Sequence, residues 1–265
     1  MLPIWEVVAL LGLGFCAGMI GGLIGIGGGV ITIPALTFLL GRDIHLAQAA
    51  SMNVVAFVAI PASIRHWKQG ELETRLLRYI VPFGVAGIIL GVLANNVVSS
   101  FWMGKLFGFF LLYVILMNVM RLISKVRARE GETIINVQRG GVIGSAAGFG
   151  AGLLGIGGGL ITVPLSQKLS RLTLPHAIAI SSGLMCFTSI VGAVTKDLTI
   201  SSVADPVSGK PLLLIDALQL SLWLFPMAIL GAWLGARFTH ILPVQWIRLV
   251  FIIVLLVAAL KYLAF

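Results

Sequence analysis

Charge is what this chain has least of. Asp, Glu, Lys and Arg together make up 10% of its 265 residues, whereas soluble domains carry about 25%. Hydrophobic residues reach 59%, with a mean hydropathy of +1.09. A water-soluble fold is excluded, and an all-α integral membrane protein is implied. Acids are scarcest of all: Glu6, Asp43, Glu71, Glu73, Glu130, Glu132, Asp197, Asp205 and Asp216 complete the set. Every one falls at the end of an apolar run or between runs, so the sequence offers no acid or base at mid-membrane. A cation carrier or an intramembrane hydrolase ordinarily needs such a group. With no HExxH, GxSxG or paired-acid motif either, an enzyme is not expected. Only two cysteines are present, Cys16 and Cys186, without CxxC spacing, and both read as buried, inert thiols.

What the chain has in abundance is long apolar runs. A helical span needs about 20 residues, and residues 5–24, 46–64, 76–97, 103–123, 138–154, 176–195, 212–236 and 244–264 approach or exceed that length. The first run carries Glu6 and no Lys or Arg before it, so it reads as a span and not as a secretory signal. The net charge of +9 is concentrated in two loops, one with Arg65, Lys68, Arg75 and Arg78, the other with Arg121, Lys125, Arg127, Arg129 and Arg139. Both belong on the cytoplasmic side of a cell membrane. The lipid bilayer therefore accounts for the basic balance, and nucleic acid is not an expected partner.

Glycine is the second abundance, with 32 residues, and its placement is not random. Gly22 to Pro34 reads GLIGIGGGVITIP and Gly152 to Pro164 reads GLLGIGGGLITVP, identical at ten of thirteen positions. Gly14 and Gly18 recur as Gly144 and Gly148, and Ala47 and Ser51 as Ala177 and Ser181. Later Pro82, Gly87, Gly91 and Trp102 recur as Pro226, Gly231, Gly235 and Trp246, which implies an insertion within residues 195–212 of the second half. Two transmembrane repeats are expected, residues 1–123 and 138–265, joined by a cytoplasmic linker at 124–137. Short runs at 29–40 and 159–167 follow the repeated phrase. If they cross, there are ten segments in two inverted sets of five, the favoured arrangement. If they only dip into the membrane, two parallel sets of four remain open.

The glycines divide into two physical kinds. Gly14, Gly18 and Gly22 recur every fourth residue and line one helix face, where a neighbouring helix can approach closely. The runs Gly25, Gly27, Gly28, Gly29 and Gly155, Gly157, Gly158, Gly159 instead mark breaks, because clustered glycines destabilise a helix and admit positive φ. In hydrocarbon a break is tolerated only inside protein or beside a wet cavity. The amides at the start of the following helix, with the positive end of its dipole, then point at the occupant, and an anion suits them. A tight crossing of helices that binds nothing is the alternative.

The doubled GxxGIGGGxxxxP phrase, each copy followed by an Ala-xxx-Ser element at residues 47–51 and 177–181, resembles the TauE/SafE family of sulfite exporters and organosulfonate permeases over nearly the whole chain. The resemblance implies a multi-pass inner-membrane carrier of small inorganic or organic oxyanions without a cofactor. It implies further that both GIGGG runs, with Ser51 and Ser181, line the substrate path. Asn53 and Gln48 flank Ser51 but correspond to Gly183 and Ile178, so any contact they make is asymmetric. Thr32 and Thr162 read as packed, and His176 as an interfacial residue. Direction of transport, coupling ion and oligomeric state, a homo-oligomer included, stay open. So do two other readings, an anion channel and a membrane-embedded partner subunit.

Overall fold

A computed structural model describes residues 3–24, 27–123, 133–206, 209–238 and 244–264. Among these residues the regular structure is helical throughout: α1 (Ile4–Ile24), α2 (Gly29–Leu39), α3 (Ile44–Lys68), α4 (Thr74–Val97), α5 (Ser100–Ile123), α6 (Val137–Leu154), α7 (Gly159–Leu169), α8 (Leu174–Thr199), α9 (Leu214–Phe238) and α10 (Val244–Ala264). Six are long and apolar enough to cross a membrane: α1, α3, α4, α5, α8 and α9. Shorter apolar stretches lie in α2 and α10. Leu90, Phe109, Leu116, Leu222, Trp233 and Val257 are among the large apolar side chains left exposed on their outer faces, the surface expected of a multi-pass membrane protein in contact with lipid.

The glycine stripes decide which helices touch. A Cβ built on Gly14, Gly18 or Gly22 of α1 would collide with the carbonyl oxygens of Leu224, Ala228 and Ala232 on α9. On α6, Gly144, Gly148 and Gly152 meet the carbonyl oxygens of Ile80, Gly84 and Ile88 on α4 in the same way. Each pair of backbones is thus in direct contact over three turns, which only small residues allow. The packing role expected for Gly14, Gly18 and Gly22 is what the structure contains, with the partner on the far side of the chain.

α3 and α8 form the enclosed centre. They run antiparallel: His45 and Gln48 in the first turns of α3, and Lys196 in the last turn of α8, all bond to Asn95 near the end of α4. α5 and α10 are also antiparallel, since Lys105 near the start of α5 donates to the Leu263 carbonyl at the end of α10, at 2.8 Å.

The two short helices do not continue the direction of the helix before them. α2 folds back along α1: a Cβ on Gly21 would lie 2.6 Å from the Gly28 nitrogen, and Arg42 just beyond α2 pairs with Glu6 in the first turn of α1. α7 returns likewise to the start of α6, where the Ile134 amide donates to the Ser170 carbonyl at 3.1 Å and Arg139 donates to the Leu169 carbonyl. At eleven residues each, α2 and α7 are about 16 Å long, roughly half the hydrocarbon thickness.

Candidate functional site at the paired helix breaks

The breaks owe their shape to glycine backbone. Gly28 (φ 73°) caps the start of α2 and Gly158 (φ 85°) the start of α7, both left-handed, a region that other L-residues enter at a cost of about 1–2 kcal/mol. The Gly28 carbonyl accepts from the Thr32 amide at 3.1 Å and from its hydroxyl at 3.2 Å; Gly158 does the same with Thr162 at 2.9 Å for each. Both threonines are buried, so their hydroxyls are used in securing the cap. The amides of the first turns of α2 and α7 carry the positive ends of two dipoles into the protein interior.

The two breaks meet between α3 and α8. Val55 of α3 and Met185 of α8 both sit against Gly27 and Gly157. A Cβ on Gly27 would lie 2.5 Å from Met185 Cε and 3.6 Å from Val55 Cγ1; one on Gly157 would lie 2.6 Å from Val55 Cγ1 and 3.4 Å from Met185 Cε. One turn before Val55, Ser51 is fully buried, and its Oγ lies 2.7 Å from where a Cβ on Gly29 would stand, with Ile156 Cα 3.2 Å from the same point. Among the described residues Ser51 Oγ has no hydrogen-bond partner, and neither has the buried Ser189 Oγ, 3.4 Å from the Cβ position of Gly157. Gln48 packs its Cβ against Gly155, at 2.6 Å from the corresponding point.

Not every expected site residue lies here. Gly27, Gly28, Gly29, Ser51, Gly155, Gly157 and Gly158 share this junction, and Gly159 opens α7 beside it. Ser181 is buried one turn before Met185 and donates to its sulfur at 3.7 Å. Asn53 turns elsewhere, its Nδ2 donating to Asp197 Oδ1 at 3.3 Å. Gly25 lies outside the described residues. A separate cavity of about 500 Å³ is lined by Arg42, Asp43, Ser100, Lys261 and Tyr262, at the end of α2 rather than at the breaks.

Three expectations need correction. The interior is not free of ionisable groups, because α8 runs through Lys196 and Asp197 to Thr199, and Lys196 is only 1% exposed. Its ammonium donates to Asn95 Oδ1 and, at 2.6 Å, to Asn96 Oδ1. Asn95 in turn donates to Gln48 Oε1 at 2.7 Å and to the Leu153 carbonyl at 2.6 Å, while His45 Nδ1 bonds its Oδ1 at 2.9 Å. The apolar run stops at residue 195, which made Lys196 look like the start of a loop; the helix continues because this polar network receives it. The signal that pointed the other way was the Asn95–Asn96 pair in an otherwise uncharged turn. Second, α8 continues to Thr199, so Asp197, within the stretch expected to hold the insertion, belongs to a helix. Third, Cys16 is exposed, and Cys186 is half-buried at the margin of the cluster of Val55, Ala59 and Met185. His176 is where it was expected, exposed at the start of α8 and bonded to Thr173 Oγ1 at 2.8 Å.

Residues 10–262 match the family model described as Sulfite exporter TauE/SafE. The curated protein Probable membrane transporter protein MamO of Paramagnetospirillum magneticum is 29% identical over 97% of this chain and 44% of its own length. Probable membrane transporter protein MJ0441 of Methanocaldococcus jannaschii is 31% identical over 74% of this chain and 72% of its own. A Probable membrane transporter protein of Haemophilus influenzae is 24% identical over 96% and 97%. This chain thus spans less than half the length of the MamO protein but almost all of the last. No solved structure matches it. A family model matched from the first helix to the last, together with relatives named as membrane transporters, means that this multi-pass membrane protein belongs to the TauE/SafE sulfite exporter family.

Proposed function

We propose that the chain is a secondary transporter of small sulfur oxyanions or organosulfonates, and that it works by alternating access around the paired breaks. The observation that carries this reading is Ser51: a fully buried hydroxyl without a partner among the described residues, close to both the N-terminus of α2 and the second break. A buried polar group left unpaired costs about 1–3 kcal/mol, and an oxyanion seated between the two helix N-termini would relieve it. No cofactor is required, because the recognising groups are backbone amides and hydroxyls. The test is uptake of labelled sulfite and sulfoacetate into proteoliposomes. Saturable uptake is expected, and Ser51→Ala should raise the half-saturating concentration about tenfold or more, the equivalent of one hydrogen bond to a charged group. Unsaturable conductance would favour a channel, and no oxyanion flux at all would remove the transport reading.

Residues 1–123 and 138–265 are proposed as inverted repeats, with 124–137 as a cytoplasmic linker in an inner-membrane protein. Helices at matching positions, α3 with α8 and α5 with α10, run antiparallel, as inversion requires. The exchange of α1–α9 contact for α6–α4 contact supports it as well. In this arrangement α1–α2 and α6–α7 are hairpins that enter and leave from one face each, three helices per repeat cross completely, and both chain ends lie outside. A reporter active only in the cytoplasm, fused after Phe265, should stay silent, while the same reporter inserted at Gly70 should be active. A strong C-terminal signal would restore the parallel arrangement.

A further inference from the structure

The polar network at the end of α8 contains a buried lysine with no carboxylate in hydrogen-bond contact among the described residues. Lys196 gives two of its three N–H groups to the neutral oxygens of Asn95 and Asn96. Among the described residues no carboxylate hydrogen-bonds the ammonium. Asp43, which caps α3 through the His45 amide at 2.8 Å, is the acid whose charge reaches it, and Asp197 accepts from Asn53. A charge enclosed in this way is costly unless it is paired.

Unpartnered polar atoms lead from this charge to the breaks. His45, Gln48 and Ser51 follow one another at three-residue steps on α3, so that each neighbours the next on the helix surface. His45 Nε2, Gln48 Nε2 and Ser51 Oγ are all buried without a hydrogen-bond partner among the described residues. Asn95 Oδ1 can only accept, so His45 donates to it through Nδ1. Gln48, held through its oxygen by Asn95, keeps both N–H donors free, and its stem lies against Gly155 of the second break.

We propose that Lys196, with Gln48 Nε2 as a neutral donor, forms an anion subsite above the break junction, and that a small oxyanion passes between it and Ser51. The inference rests on the oxyanion reading above and gives that pathway a basic side chain, positive when protonated.

The experiment uses the purified full chain in detergent, with sulfite, sulfate, sulfoacetate and chloride as probes, and reads ligand-dependent melting temperature and titration calorimetry. Asn96→Asp places a carboxylate where an oxygen now stands 2.6 Å from the ammonium, so it should preserve the fold and neutralise the subsite. Affinity for the oxyanion that binds wild type should fall more than tenfold in this variant. Lys196→Gln, which removes the charge outright, gives the same reading should the first variant not purify. If wild type binds an oxyanion and both variants bind it equally well, the subsite is wrong and the transport reading stands. If wild type binds none of the oxyanions, both fall together.

Discussion

Asn95→Leu is expected to destabilise the protein by about 3–5 kcal/mol, because it strips a buried charge of a partner. Asn95 is fully buried and joins four elements: it donates to Gln48 Oε1 on α3 and to the Leu153 carbonyl on α6, and it accepts from His45 on α3 and Lys196 on α8. Leucine keeps the branched outline of asparagine but is larger and carries no donor or acceptor, so the loss is chiefly one of polar pairing, with some overpacking added. A replacement of this size should lower the melting temperature in detergent by on the order of 10 °C. Asn95→Asp supplies the contrast: it keeps the acceptor for Lys196 but loses the N–H groups given to Gln48 Oε1 and the Leu153 carbonyl, so it should melt between the leucine variant and wild type. Equal melting of the leucine variant and wild type would mean that the network contributes nothing to the fold.

Gly28→Leu and Gly158→Leu are expected to reduce transport at least a hundredfold while the chain still inserts in the membrane. Insertion depends on the apolar helices, which neither change touches. The breaks would fare differently. Each glycine is left-handed, and a Cβ would stand 2.8 Å from the Ala17 carbonyl oxygen at Gly28 and 3.0 Å from that of Ala147 at Gly158. The neighbour is helix backbone, so the cap itself has to move, carrying the first amides of α2 or α7 away from the junction. Gly41→Ala is the control, with φ 61° but nothing within 4 Å of the new methyl. It has a similar backbone cost and should transport normally. Uptake at wild-type rates by a Gly28→Leu, Gly158→Leu double variant that reaches the membrane would refute the assignment of the breaks to the substrate path.

What can be read from residue order depends on whether the property is local. Hydropathy is local, so the multi-pass character and most helix positions were legible. Backbone freedom is local too: the chain leaves helical geometry at the glycine runs, at Gly27, Gly28, Gly155, Gly157 and Gly158. A stripe of glycines likewise announces a close helix contact, and Gly14, Gly18 and Gly22 make one. The identity of the partner was not legible, because any helix with small residues in register could receive that stripe, and only the assembled bundle selects α9 for α1 and α4 for α6.

The interior chemistry belongs to the tertiary structure as well. Ser51 and Gln48 stood near the motif on any reading, but that Ser51 lies unpaired beside Gly29 whereas Asn53 turns to Asp197 follows from how α3 crosses α8. Lys196 at the end of an apolar run reads as interfacial, and its burial requires Asn95 and Asn96, about a hundred residues earlier, to arrive beside it. A composition window averages over one stretch of chain, whereas the environment of a side chain is set by the groups that surround it in space; in a helical bundle most of those come from other helices.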